Sequence, residues 1–246
     1  IRNFCESVGV ARSESIVDLG MLEHAIRDDL DKNSPRAMCV LNPVIVVLTN
    51  FPDEHLEILS MANHPKVDEM GRRSVPLTKR VVIDRSDFEE VPPQGFKRLI
   101  AGGEVRLRGA YVIKCIDVIK DDAGNIIELH CSVDVDTLGK KPEGRKVKGV
   151  IHWVSEAKGV PLSVRLYDRL FNVENPESKG IEDFRECLNK DSLVEITSCI
   201  AEPSIVEKGA SSSYQFEREG YYCLDEKDSL ENKLVFNRTI TLRDSW

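Results

Sequence analysis

The residues best suited to chemistry in this 246-residue sequence are cations set into an alternating stretch. Arg106-Leu107-Arg108 lies within Glu104–Ile119, where Val105, Leu107, Tyr111, Ile113 and Cys115 alternate with Arg106, Arg108 and Lys114. In a strand, residues two apart point the same way and lie roughly 6.5–7 Å from each other. Two guanidiniums on one face can address a phosphate and a base edge, because arginine presents a planar fork of donors. Lys97-Arg98, after Gly95-Phe96, adds two cations just upstream. The same pattern also describes the solvated outer face of a barrel, and residue types alone leave both readings open.

A second group is Tyr214-Gln215-Phe216-Glu217-Arg218-Glu219-Gly220-Tyr221-Tyr222. Its rings can stack on unpaired bases while Gln and Arg bond the base edges. They can equally pack across a hairpin into a core. Asp134 and Asp136 share a strand face, yet no histidine cluster stands with them, so a metal site is a weak reading. His24, His55, His64, His130 and His152 are dispersed, and His152-Trp153 sits in an apolar run that reads as a buried strand. No phosphate-binding P-loop, G-x-S-x-G elbow or H-E-x-x-H helix occurs.

Positioning these groups falls mainly to strands. Ala37–Thr49 is rich in Val, Ile and Leu around Pro43, and the proline points to an edge or a bend. Glu104–Ile119 and Ile126–Val135 are expected to pair as a hairpin around Asp122-Ala123-Gly124-Asn125. Further strands are expected at 147–155, 162–171, 193–201, 214–217, 221–224 and 235–242. Many short strands between turn residues indicate sandwiches or barrels. One long helix is predicted, capped by Ser13, with Ile16, Leu19, Leu22, Ile26 and Leu30 on one face and Pro35 as its stop. A shorter helix is predicted over 181–188. Polar stretches at 63–73 and 138–145 interrupt the pattern.

Composition bounds the function. Net charge is −8, but residues 66–148 hold 17 Lys and Arg against 14 Asp and Glu, half of the chain's 34 positive residues. Bulk attraction to nucleic acid is therefore excluded as the main force, and recognition by a few placed cations is not. Seven scattered cysteines form no C-x-x-C pair, so reduced thiols and a cytoplasmic location are expected. No apolar stretch approaches the roughly 20 residues that span a bilayer. The opening Ile-Arg-Asn-Phe lacks an initiator Met and reads as a chain entered partway.

Several strings together resemble the C-terminal, anticodon-binding region of glutaminyl-tRNA synthetases. They are Pro35-Arg36-Ala37-Met38; Phe96-Lys97-Arg98-Leu99 with Glu104-Val105-Arg106-Leu107-Arg108; the run Gly144 to Ser155; Arg165-Leu166-Tyr167-Asp168-Arg169-Leu170-Phe171; Gln215 to Tyr221; and Phe236-Asn237-Arg238-Thr239 with the closing Leu242 to Trp246. The resemblance runs the whole length in order, and the Gly144–Ser155 string is its most specific part. The Gly-rich Ala101-Gly102-Gly103 departs from the family pattern.

The resemblance implies a mainly β fold: two β-barrels, proximal and inserted distal, preceded by a short α-helical connector. The connector would be 1–33, the proximal barrel 34–47 with 148–246, and the distal barrel 48–147. By the same resemblance, Arg36, Gln215 and Arg218 form the pocket for a middle uridine. Lys97 and Arg98 meet a third-position guanosine, and Arg106 with Arg108 meets the first base or its phosphate. The implied partners are the tRNA(Gln) anticodon loop and an N-terminal catalytic domain of the same protein, with neither membrane nor DNA. ATP would serve the full-length ligase; no cofactor and no catalytic residue is expected within these residues. Two alternatives stand beside this reading: the tail of an archaeal- or eukaryotic-type glutamyl-tRNA synthetase, and a protein- or carbohydrate-binding β module using Tyr214, Tyr221 and Tyr222.

Overall fold

The computed structural model describes residues 2–9, 17–207 and 210–243. Two helices come first, α1 (Arg2–Val8) and α2 (Leu19–Asn33), and the elements after them are strands and short 3-10 turns. Helix α2 is capped by Asp18, whose carboxylate accepts from Gly20 N at 2.6 Å. The expected cap Ser13 and the stripe residue Ile16 lie outside the described residues. Leu22, Ile26 and Leu30 are half-buried, and Arg27 Nε donates to Thr241 O at 3.0 Å, tying the helix to the end of the chain.

Two seven-stranded sheets carry the fold, and both close in the same way. The first runs 36–37, 213–216, 220–224, 234–240, 160–167, 193–201, 39–40. Its two outer strands are pieces of one segment, Arg36–Val40, interrupted at Met38. The second runs 150–151, 104–107, 112–120, 126–134, 43–48, 80–84, 154–155. Its outer strands are again one segment, Val150–Ser155, interrupted at His152-Trp153. A segment that pairs on both sides leaves no open edge, which is how a barrel removes the exposed ladder of a flat sheet.

Period-two geometry makes 36–41 a wall shared by two cores. Ala37, Cys39 and Leu41 enter a cluster with Leu162, Val164, Phe216 and Phe236, while Met38 and Val40 enter another with Leu48, Leu107, Ile113 and Trp153. A buried ion pair reinforces this wall. Glu202 accepts from Arg73 and, at 3.0 Å, from Met38 N.

Several elements differ from the expectation. Glu104–Ile119 is two strands, because 108–111 turns back and Arg106 pairs with Val112. Ala110 N bonds Leu107 O at 2.9 Å, and Gly109 adopts the left-handed backbone (φ +66°) that the turn needs. The hairpin of 112–120 with 126–134 forms around Asp121, whose Oδ1 accepts from Asn125 N at 2.7 Å. Pro43 opens a strand that lies inside its sheet, between 126–134 and 80–84, rather than at an edge. The predicted helix at 181–188 is one 3-10 turn, Phe184–Cys187. A two-stranded ribbon, 56–62 with 72–78, had no clear sequence signal, and the polar stretch 63–73 contains its connection. Hydrogen bonding also gives 43–48 and 150–155 to the second sheet, so sheet membership does not follow the expected segment boundaries.

Candidate anticodon interface

The 213–216/220–224 hairpin places one group of the predicted residues. Gln215 stands beside Arg36 in parallel register, and Tyr214 and Phe216 point the other way, into the core. Arg36 is 5% exposed; its Nη1 donates to Ser34 O at 2.9 Å and its Nη2 to Asp31 Oδ1 at 2.6 Å. Burial alone would raise the Asp31 carboxyl, but Arg36 and Lys66 hold it below its ordinary value. The Gln215 side chain has no hydrogen-bond partner among the described residues.

Arg218 sits at the hairpin tip with φ +73°, the one non-glycine residue in the left-handed region among those described. Its Nη1 and Nη2 clasp Asp87 at 2.6 Å each, and Nη1 lies 3.4 Å from His152 Nδ1. No hydrogen bond or ion pair among the described residues joins Arg218 to Arg36 or Gln215. Asp87 belongs to the 3-10 turn Arg85–Asp87 after strand 80–84, so this clasp fastens a turn of the first sheet to a loop of the second. Arg98 meets the same carboxylate. Its Nε is 3.2 Å from Asp87 Oδ1, and its Nη1 donates to Ser86 O at 2.8 Å.

Ion pairing does not exhaust these guanidiniums. An arginine carries five N–H groups. On Arg218, the Nε–H and the outer proton of Nη2 have no partner among the described residues; on Arg98 the whole Nη2 is unspent. Arg218 keeps a two-nitrogen edge for a two-pronged contact, and Arg98 keeps one nitrogen.

The strand-borne pair behaves differently from the expectation. Arg106 donates through Nη1 to Ala110 O and Thr137 O and through Nη2 to Lys140 O, holding two loops by their carbonyls. Arg108 lies beyond the strand end, and its Nε reaches Glu217 at 2.9 Å. The two guanidiniums are spent on different partners, although Arg106 N and Arg108 N still bond Gly149 O and Ile151 O in one ladder.

Beside Arg98 runs a groove of about 570 Å³ lined by Phe96, Lys97, Lys114, Arg145, Lys146, Lys148 and Gly149 among others. Its acid, Glu104, is neutralised by Arg145 at 2.9 Å. Lys97, Lys114, Lys146 and Lys148 are exposed and have no ion-pair or hydrogen-bond partner for their ammonium groups among the described residues. Gly149 makes the groove possible, since a Cβ there would fall 2.0 Å from Lys97 O. Two lysine-bearing segments therefore cross backbone to backbone. Sequence reasoning quoted the Lys146 and Lys148 string but assigned these lysines no role, because their convergence depends on a crossing far apart in the chain.

The aromatic hairpin resolves toward packing. Tyr214, Phe216, Tyr221 and Tyr222 are all buried, and Phe216 stacks on Tyr222 with centroids 4.6 Å apart. A contact surface made of Tyr214, Tyr221 and Tyr222 is thereby contradicted. His152 is fully buried, and burial first, then Arg218, lowers its pKa to about 4. Glu219 next to it moves the other way, to about 7, chiefly through burial and then Asp84. Asp134 is bound by Arg145, and no cluster of three or more metal-type ligands occurs among the described residues. No helix among them is long and apolar enough to cross a membrane.

Two closed β sheets meet at a cluster of directed cations. Comparison with known families makes this specific. The anticodon-binding domain of class I (E and Q) tRNA synthetases matches at residues 34–134 and again, through a second such domain, at 150–225. The chain belongs to this anticodon-binding family. Among curated relatives, the Glutamine--tRNA ligases of Stutzerimonas stutzeri (strain A1501) and Ectopseudomonas mendocina (strain ymp) are 58% and 59% identical over the whole of this chain. That of Pseudomonas putida (strain KT2440) is 56% identical. The chain spans 44%, 44% and 43% of these relatives, less than half their length.

Proposed function

We propose that this chain is the anticodon-reading part of a cytoplasmic glutamine–tRNA ligase. In that reading a separate N-terminal domain of the same protein uses ATP to join glutamine to tRNA(Gln). The reading rests most heavily on one observation: two guanidiniums with donors unspent among the described residues stand beside a groove whose lysines have no partner among them. Directed donors suit base edges, and flexible point charges suit phosphates. Arg36, Gln215 and Arg218 are assigned to the middle base and Lys97 and Arg98 to the third. Arg108, steadied by the turn that Arg106 holds, is assigned to the first. The proximal unit (34–47 with 148–246) and the inserted distal unit (48–147) are part of the same proposal. Support for them comes from the two apolar clusters, with 43–48 and 150–155 crossing between the units.

Binding of anticodon stem-loop RNAs to this chain tests the reading. The glutamine anticodon should bind more tightly than the glutamate anticodon, which differs at the third base; the reverse preference would assign the chain to a glutamyl enzyme. Arg218→Ala should reduce discrimination at the middle base by about 1–3 kcal/mol if its contact is two-pronged. Unchanged selectivity in that variant would remove the pocket assignment.

A further inference from the structure

The Asp87 carboxylate is fully buried, and the groups that meet it come from two different parts of the interface. Arg218 arrives from a hairpin tip of the first sheet and Arg98 from the segment 95–98 beside the lysine groove. We propose that Asp87 is a positioning residue that sets both guanidiniums at once and so couples selection of the middle and third anticodon bases. This rests on the assignment of Arg218 and Arg98 to those two bases.

The geometry supports a positioning role over a simple staple. Both oxygens of Asp87 are used: Oδ2 by Arg218 Nη1, and Oδ1 by Arg218 Nη2 and by Arg98 Nε. The end-on clasp fixes the plane of the Arg218 guanidinium and leaves its Nε/Nη2 edge directed elsewhere. Arg98 is gripped by Nε and Nη1, which leaves Nη2 as its outward end. Arg218 is also held in a left-handed backbone that side chains other than glycine seldom adopt, a form of strain that collects where function requires it. Asp87 is itself held firmly: Asp84 Oδ1 accepts from Ser86 N at 3.0 Å and Asp84 Oδ2 from Asn42 N at 3.1 Å, which locks the turn. A carboxylate held this firmly orients both guanidiniums from one fixed point.

The test measures affinity of this chain for stem-loops altered singly at each anticodon position, together with thermal unfolding. Asp87→Asn should lower discrimination about tenfold at the middle base and about tenfold at the third, leaving the first unchanged. Arg218→Ala should affect the middle base mainly. In the double variant Asp87→Asn/Arg218→Ala, middle-base discrimination should fall no further than in Arg218→Ala. Glu202→Gln, which weakens the other buried ion pair in the shared wall, serves as the control; it should lower the unfolding temperature and leave all three base preferences intact. If Asp87→Asn does not fold, Asp87→Glu keeps the charge but shifts the carboxylate, and the same loss at both bases should appear. Folded Asp87 variants that keep full discrimination at either base, or that lose affinity equally for every anticodon, overturn the inference while the anticodon reading stands. A wild-type chain with no preference at any position overturns both.

Discussion

The Asp87 cluster and the lysine groove adjoin each other, yet they treat positive charge in opposite ways. Around Asp87, guanidiniums are clasped and fixed in direction. Along the groove, four ammonium groups stand in solvent without partners among the described residues, and the lining acid, Glu104, is already neutralised by Arg145. A fixed fork discriminates among base edges but responds poorly to a moving phosphate. A free lysine does the reverse. On the proposed reading, the contrast would let a chain with net charge −8 address RNA, its charge being spent locally, on direction in one place and on attraction in the other.

If clasped cations are structural as well as functional, removing one should cost folding energy that removing a free lysine does not. The largest such loss is expected at Arg73→Ala, which strands Glu202 without its ion-pair partner in the wall between the two cores. Removing one partner of a buried pair typically costs about 3–5 kcal/mol. Urea unfolding would measure it, and a loss under about 1 kcal/mol would mean that water or Ser204 replaces the arginine.

Next is Gly149→Ala. A methyl group there meets Lys97 O at 2.0 Å and Val105 Cγ2 at 2.9 Å, so one of the crossing backbones must move. Overpacking of this kind costs about 1–3 kcal/mol. It should also separate the lysine-bearing segments and weaken RNA binding while leaving discrimination at the middle base untouched. Equal damage to both would show that the groove and the Asp87 cluster are one unit.

Glu219→Gln probes the clasped side through pH. Glu219 titrates at about 7 in the folded chain, against 4.5 for a free side chain, because burial first and then Asp84 disfavour its charge, with Arg218 opposing. Between those values the folded chain keeps a proton that the unfolded chain has released. This contribution to stability is therefore present at low pH and lost as pH rises through about 7. His152 works in the opposite sense between about 4 and 6.5, but it is common to both proteins. Relative to wild type, Glu219→Gln should gain nothing at pH 4 and about 1–3 kcal/mol by pH 8, measured by denaturant titration at each pH.

Much of the scaffold was legible in the sequence where local rules dominate. Leu193–Ala201 forms a strand as its composition indicates, and Asp121–Asn125 turns as such residues do. What failed were features decided at long range. Glu104–Ile119 reads as one strand, and only the return of Val112 onto Arg106 reveals that the stretch turns back on itself between Leu107 and Val112. Leu56–Ala62 reads Leu-Glu-Ile-Leu-Ser-Met-Ala, with adjacent apolar residues that hide its period, and its ribbon partner fixes it as a strand. The site was legible as residue types, largely through family resemblance. Its organising group, Asp87, was not, because an aspartate in Asp84-Arg85-Ser86-Asp87 carries no sign that two arginines from distant segments will converge on it.

The smallest effect on stability, and the sharpest division between the two regions, is expected at Lys146 and Lys148. Both are exposed and have no ion-pair or hydrogen-bond partner for their ammonium groups among the described residues, so Lys146→Ala and Lys148→Ala should leave the unfolding temperature unchanged. Their contribution should appear in the salt dependence of RNA affinity. Each phosphate neutralised on a single strand contributes roughly 0.7 to the slope of log affinity against log salt, because condensed counterions are released. Each substitution should therefore flatten that slope by roughly 0.7, and the double variant by about twice as much. The ratio between correct and altered anticodons should not change in either, since a free ammonium that follows a phosphate carries no information about the base. A variant that kept the slope but lost discrimination at one position would reverse the assignment, making that lysine a base reader and the groove a pocket.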